Sequence, residues 1–365
     1  MKKIDSITVR LPYITQKIFI GCDIFDFALR EIIAMRYDKL IVVVDSNFYK
    51  LIKSNLERCS ENKIADIIVI SPVKKYKEFN ACSEIIQKMV QAKMNRNCCL
   101  IAIGGGYVGD ITGFVATNYM RGIDFIQIPT TVMSMSDAII GKVAINFGGI
   151  KNLLGSFYSP RYTFCDINLL LTLNKKEIIF GLVEVWKHTL VVNDNSIARK
   201  IADYLDGKSY PDIFFDLTKF SLKTKKKIVE NDFNDKNGIH KALSLGHTYA
   251  NYLEQKFNLR HGEAVFYGII LEIILSLHFN TINQDKFNSI KPLIKKFEEN
   301  IGMLHKIQTL INIEEIINNL KFDKINQGNH FTFVLLTKNG FCVKSNVTSG
   351  NLREAFIEFS KFNIL

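Results

Sequence analysis

Four short apolar runs between residues 40 and 128 constrain the fold more than any other feature. Leu40-Ile41-Val42-Val43-Val44, Ile67-Ile68-Val69-Ile70, Cys99-Leu100-Ile101-Ala102-Ile103 and Phe125-Ile126-Gln127-Ile128 are mostly β-branched and do not alternate with polar residues. A strand covered on one face alternates and a strand covered on both does not, so these runs predict parallel strands with helices on either side. Helical segments fall between them, near Phe25–Met35, Asn47–Asn55 and Phe79–Ala92. The alternation predicts an α/β class: a doubly wound, Rossmann-like domain over residues 1–177. From residue 178 onward the pattern is helical, at Ile178–Leu190, Ile213–Val229, Lys241–Phe257, Glu263–Phe279, Lys286–Asn300 and Ile311–Leu320. Strand-like runs return only at Phe331–Leu336 and Gly340–Lys344. Residues 178–365 are therefore expected to form a second, mainly α-helical domain.

The 365-residue length accommodates two such domains, and 47% hydrophobic with 23% charged residues excludes a disordered or collagenous chain. Lys and Arg outnumber Asp and Glu, 47 to 36, for a net charge of +11. That excess serves solubility and also suits a small anionic substrate. Lys74-Lys75 and Lys225-Lys226-Lys227 are short clusters without interleaved aromatics, so no nucleic-acid partner is expected. The seven cysteines are odd in number and lack a CxxC pair, which fits a reducing compartment. The start, MKKIDSITVRLPY, has no apolar core of a signal peptide, and the stretch Val265–Phe279 is interrupted by Glu272 and His278. A cytoplasmic protein with no membrane partner is expected.

The third run leads directly into Gly104-Gly105-Gly106-Tyr107-Val108-Gly109-Asp110, followed by a helix-compatible stretch, Ile111–Asn118. Glycines between a strand and a helix allow a tight turn and let backbone N–H groups approach a pyrophosphate at the helix N-terminus. The G-x-G-x-x-G spacing alone is a weak signal, since a glycine-rich βα turn also occurs without a ligand, and the strand-turn-helix context strengthens it. Asp45, ending an earlier run, is placed to accept from a ribose hydroxyl, with Asn47 nearby. All seven histidines lie in the second half. Glu184 with His247 and His261 would make a three-ligand zinc shell with positions left open for substrate oxygens. Spacing alone does not choose these over other histidines, because no HExxH or CxxC supports them locally.

Taken in order, Gly104–Asp110, Arg121-Gly122, Pro129-Thr130-Thr131, Lys142 to Asn146, Lys151-Asn152, Gly181–Lys187, Gly246-His247-Thr248 and His261–Val265 resemble the 3-dehydroquinate synthase family of sugar phosphate cyclases. The resemblance runs from about Asp45 to Lys324. It implies NAD, a zinc or cobalt ion, and a homodimer that converts a sugar phosphate into a carbocycle. The reaction would pass through transient oxidation, phosphate elimination, reduction and an intramolecular aldol step. By resemblance, Glu184, His247 and His261 are the metal ligands. Lys142, Lys151, Asn152, Lys187 and Lys225 line the substrate site, and Arg121 reaches a phosphate, across a dimer. Asp137 lies near the nicotinamide. Asp45, Asn47, Lys77, Gly105, Gly106, Asp110, Thr130, Thr131 and Thr172 contact NAD, with Lys142 and Lys151 close to it.

The chain also departs from that family. His240 aligns where an Arg usually grips a substrate carboxylate, and a ring cannot reproduce the guanidinium fork. Ser244 replaces an Asn, and Asn251 replaces a histidine one turn after His247. Val73-Lys74 stands where Gly-Glu is usual, the stretch from Asp137 to Lys142 looks one residue short, and a later Asp-Lys-Lys reads Asp323-Lys324-Ile325. Asn146-Phe147-Gly148-Gly149 resembles the valiolone-forming branch, whereas Lys225 and Arg121–Thr131 resemble the dehydroquinate-forming branch. The substrates to weigh are therefore a heptulosonate 7-phosphate, sedoheptulose 7-phosphate and glucose 6-phosphate. A glycerol dehydrogenase-like oxidoreductase shares the two-domain plan, and a binding paralogue that lost the chemistry is a further alternative.

Overall fold

The computed structural model describes residues 4–59, 63–71, 77–208, 212–321 and 330–362. In chain order the first half contains β1 (Ile4–Leu11), β2 (Ile14–Gly21), α1 (Phe25–Ala34), β3 (Leu40–Asp45), α2 (Ser46–Cys59), β4 (Ile64–Ile70), α3 (Phe79–Gln91), β5 (Cys99–Gly104), α4 (Gly106–Asn118), β6 (Asp124–Pro129), α5 (Val132–Ser136), β7 (Val143–Phe147), β8 (Ile150–Ser156) and β9 (Tyr162–Asp166). Then come α6 (Lys175–Val192), α7 (Asn195–Leu205), α8 (Ile213–Asn231), α9 (His247–Phe257), α10 (His261–His278), α11 (Gln284–Ile301), α12 (Leu304–Leu310), α13 (Ile313–Leu320), β10 (His330–Thr337), β11 (Gly340–Thr348) and α14 (Ser349–Ser360). The chain forms two compact units, residues 1–174 with 214–233, and residues 175–213 with 234–365. The expected division at 177/178 did not give the 214–233 segment, which carries α8, to the first unit.

The first unit holds a seven-stranded sheet in the order β1-β2-β9-β6-β5-β3-β4. All neighbours are parallel except β1 with β2. The four apolar runs are strands β3 to β6. Strands β3 and β5 are buried almost throughout, as cover on both faces requires, while edge strand β4 is only half-buried. The connection from β3 leads outward to β4, the chain returns past β3 to β5, and then moves away through β6 to β9. The sheet's direction of growth thus reverses between β3 and β5. In open α/β sheets, that reversal leaves a crevice at the carboxyl ends of the strands. Asp45 and Gly104 end the two strands that flank it.

Three parts of this unit carry no apolar run in the sequence. The β1–β2 hairpin is an alternating edge. The β7–β8 hairpin closes over Gly148 and Gly149, with φ of 58° and 78°, so these residues make a two-residue turn that strongly favours glycine. Helix α8 is tied to the same unit by Glu230, whose Oε1 accepts the Arg10 backbone N–H at 2.6 Å, and by the Lys219–Asp5 ion pair.

The second unit is helical apart from the β10–β11 hairpin. Helices α6 and α10 are buried on nearly every side, as helices apolar all round must be. Trp186, Phe266 and Phe297 pack with centroids 5.4–5.9 Å apart where α6, α10 and α11 meet. Helix α10 is long and apolar enough to cross a membrane by length and composition, and 78% of it is buried inside the unit. The helix expected over Lys241–Phe257 is broken. Residues 240–244 form a 3-10 turn, and Gly246, at φ 82°, ends it so that α9 starts afresh at His247. A Cβ at Gly246 would stand 2.6 Å from Ile269 Cγ1 and 2.7 Å from the Val265 carbonyl, so α10 leaves no room for any other residue there.

Candidate active site

Among the described residues, one group of three can hold a metal ion: Glu184, His247 and His261, with ligand atoms all within 4.8 Å of one another. Helix α6 supplies the acid, and the first residues of α9 and α10 supply the two rings. Glu184 Oε1 lies 3.6 Å from His247 Nε2 and 3.7 Å from His261 Nε2. Two ligand atoms bonded to one zinc ion at tetrahedral angles stand about 3.3–3.4 Å apart, so each Glu184–histidine pair fits a shared ion with little adjustment, the third pair lying within 4.8 Å. The acid is fully buried, whereas the ring side chains are 28% and 43% exposed. The cluster is closed on the protein side and open on the other, as a site that admits substrate must be.

Both rings are oriented from behind. His247 Nδ1 lies 3.2 Å from the Leu245 carbonyl, and His261 Nδ1 lies 2.9 Å from Glu254 Oε1. Acceptors at both Nδ1 atoms put the proton there and leave each Nε2 lone pair facing Glu184. Lys187, one turn after Glu184 and equally buried, places Nζ 2.5 Å from Glu184 Oε2 and donates to the Leu243 carbonyl at 2.8 Å. The ammonium thus engages Oε2 while Oε1 faces the rings. Glu272, buried on α10, accepts the Gly246 N–H at 2.6 Å and so braces the turn that presents His247. Burial pushes its carboxyl up to about 8, although the Gly246 and Thr248 hydrogen bonds and the Lys187 charge oppose the rise. In sequence, Glu272 reads only as an interruption of an apolar stretch, and Glu254 gives no signal except a lone acid on a helix face. Among the described residues, the other two expected in this unit, His240 and Asn251, are buried in the 3-10 turn and exposed on α9, respectively.

In the first unit the glycine turn is built as its spacing suggests. A Cβ at Gly104 would strike Val108 Cγ2 at 2.5 Å, and one at Gly109 would strike Gln127 Nε2 of β6 at 2.3 Å, so the first glycine keeps the turn tight and the third lets helix and sheet close up. Gly105 caps α4 without a side-chain hydrogen bond. The helix N-terminus, with Gly106 as its first residue, therefore offers backbone N–H groups of the kind that receive a pyrophosphate. The Thr130 N–H donates to the Gly104 carbonyl at 3.0 Å, and Thr131 caps α5. Asp45 accepts the Asn47 N–H at 2.8 Å, and burial raises its carboxyl above the usual range.

A second polar group ties the glycine-turn helix to the β7–β8 hairpin. Lys77 Nζ lies 2.7 Å from Asp110 Oδ2 and donates to Asn152 Oδ1 at 2.6 Å. Asp110 accepts the Ala144 N–H, and Asn146 accepts the Asn152 N–H. Lys225 of α8, 3% exposed, pairs with Asp137 Oδ1 at 3.0 Å and also donates to the Asp137 carbonyl. Lys142 is exposed before β7, and Lys151 lies half-buried on β8. Arg121 is exposed in a turn where Met120, Arg121 and Gly122 all have positive φ, and Thr172 donates to the Leu169 carbonyl after β9. Lys324 and Val73-Lys74 lie outside the described residues.

Residues 67–180 match the family 3-dehydroquinate synthase N-terminal, and residues 181–326 match 3-dehydroquinate synthase C-terminal. The 3-dehydroquinate synthase of Staphylococcus haemolyticus (strain JCSC1435) is 32% identical over 310 residues, covering 83% of this chain and 85% of that protein. Two solved structures share the fold. One is ValA, a 2-epi-5-epi-valiolone synthase from Streptomyces hygroscopicus subsp. jinggangensis 5008 with NAD+ and Zn2+ bound, at TM-score 0.83, 19% identity, and coverage of 96% of this chain and 98% of that one. The other is 2-deoxy-scyllo-inosose synthase complexed with carbaglucose-6-phosphate, NAD+ and Co2+, at TM-score 0.81, 21% identity, and coverage of 97% and 99%.

Proposed function

The chain belongs to the 3-dehydroquinate synthase family, and from that premise we propose that it is a phosphate-eliminating lyase that closes a carbocycle on a heptulosonate or ketose 7-phosphate with NAD and a divalent metal. The observation that carries this is the Glu184–His247–His261 cluster, with both Nε2 atoms turned to one carboxylate oxygen. NAD, when bound, would supply a reversible hydride acceptor, and a Zn2+ or Co2+ ion held by Glu184, His247 and His261 would supply Lewis acidity at a substrate hydroxyl. Every other task falls to the chain's own groups. Gly105, Gly106 and the α4 N-terminus receive the dinucleotide phosphates, while Asp45 receives a ribose hydroxyl. Thr130, Thr131, Asp110, Lys77, Asn47 and Thr172 complete the dinucleotide contacts. Lys142, Lys151 and Asn152 bind substrate oxygens, and Lys225, Arg121 and the lysines together offset charge that grows on a departing phosphate. Lys187 holds Glu184 in place through its Oε2 contact.

A second substrate class has its own supporting observation. His240 is 5% exposed in its 3-10 turn, and its ring offers no fork for a carboxylate. A sugar phosphate without that acid, such as sedoheptulose 7-phosphate, suits it better.

Phosphate release and NADH absorbance, followed together with NAD and Zn2+ or Co2+ present, test both readings. The substrates are 3-deoxy-arabino-heptulosonate 7-phosphate, sedoheptulose 7-phosphate and glucose 6-phosphate. One of the first two should release phosphate with no net NADH. NADH accumulating with turnover would instead mark a dehydrogenase, and no release from any of the three would end the cyclase proposal.

A further inference from the structure

The two imidazoles are supported unequally. His247 leans on a backbone carbonyl, which is neutral, whereas His261 leans on the carboxylate of Glu254. Glu254 lies on α9, seven residues before His261, and its side chain is 2% exposed while the ring beyond it is 43% exposed. A buried carboxylate needs a partner, and a ring N–H 2.9 Å away provides one. The contact therefore runs from one buried acid through the ring to Nε2, which faces a second, Glu184 Oε1.

From this arrangement we propose that Glu254 is a positioning residue for the metal cluster: it holds His261 in the Nδ1–H tautomer and strengthens its Nε2 as a donor. Three consequences follow from the geometry. A ring flip would break the 2.9 Å contact between Nδ1 and the buried acid. The Nε2 lone pair is directed before any ion arrives. The acid adds a second negative charge behind the ligands, partly balancing a dication that Glu184, already shared with Lys187, neutralises incompletely. An acid that acts in this way behind a metal-bound histidine is typically worth about 10–100-fold in metal affinity.

The inference rests on the metal-dependent reading above, so its test includes a measurement that needs no metal. Nitrogen-15 NMR of the histidines in the chelator-treated protein should report His261 protonated at Nδ1, and Glu254→Ala should shift it towards the Nε2–H form. In Co2+ titrations, Glu254→Ala should weaken binding about 10–100-fold and alter the visible cobalt spectrum. Glu254→Gln, which keeps an acceptor and loses the charge, should fall between. If the alanine variant does not fold, the glutamine variant decides by its affinity. An unchanged tautomer in Glu254→Ala, or parental Co2+ affinity and spectrum in the folded variants, would overturn the proposal. A parent protein that binds no Co2+ would refute the metal reading instead, and the tautomer measurement would still judge Glu254.

Discussion

Gly246 and Gly207 offer a controlled pair of substitutions. Both have φ of 82°, but a Cβ at Gly207 meets nothing within 4 Å, while one at Gly246 meets Ile269 Cγ1 at 2.6 Å, the Val265 carbonyl at 2.7 Å and the Ile269 N at 3.0 Å. Alanine pays the left-handed backbone penalty at either site, about 1–2 kcal/mol. Only Gly246→Ala adds the overlap with α10, two of whose three contacts are backbone atoms that cannot rotate away, worth about 1–3 kcal/mol more. The totals are about 1–2 kcal/mol for Gly207→Ala and about 2–5 kcal/mol for Gly246→Ala. Trp186, the only tryptophan, is buried in the same unit and reports its unfolding by fluorescence. With a urea dependence of about 2 kcal/mol per molar, Gly246→Ala should unfold at roughly 1–2.5 M less urea than the parent, and Gly207→Ala at roughly 0.5–1 M less. Both are measured with chelator present, so that metal binding does not add to the difference. Equal shifts for the two variants would show that the packing of the Gly246 turn on α10 contributes nothing, and would remove the steric reason for α9 starting where it does.

Two further outcomes are expected. Glu272 has a carboxyl raised to about 8 in the folded chain against an ordinary value of 4.5. Between those values the unfolded chain loses a proton that the folded chain keeps, so stability falls as pH rises from about 5 to 8 and levels off above. Glu272→Gln should remove that decline and be the more stable form at high pH, by up to roughly 3–5 kcal/mol, and parallel pH profiles of the urea midpoint would contradict this. His240→Arg should lower the KM for the carboxylated heptulosonate phosphate about 10-fold or more by restoring a charge-assisted contact. No improvement would mean that another group receives the acid or that His240 occupies a different place in the alignment.

What the sequence revealed depended on how far apart the cooperating residues lie. Strands β3 to β6 announce themselves because each is a continuous buried run, and the glycine turn because its parts are adjacent. The β1 and β2 strands are partly polar and alternate, so no run of four or five apolar residues marks them. The periodicity of α8 gives its apolar face and not the unit that covers that face. Glu184, His247 and His261 stand out in the sequence only through whole-motif resemblance, since histidine spacing alone does not select them. The roles of Glu254 and Glu272 are illegible in the sequence for the same physical reason: each is a single acid in a helix, and its partner lies on the next helix or 26 residues away. The Gly148-Gly149 pair, read by resemblance as a branch signal, has a local explanation in the turn it makes.

The return of α8 to the first unit governs how this chain can be made. As the polypeptide leaves the ribosome, its first 174 residues emerge without the helix that pairs with Asp5 and the Arg10 N–H. That helix arrives only after residues 175–213, which belong to the other unit, have been synthesised. The first unit therefore cannot be completed until residues 175–213 of the other have been synthesised, so the two are interleaved along the chain. No single cut between residues 174 and 234 leaves two whole parts.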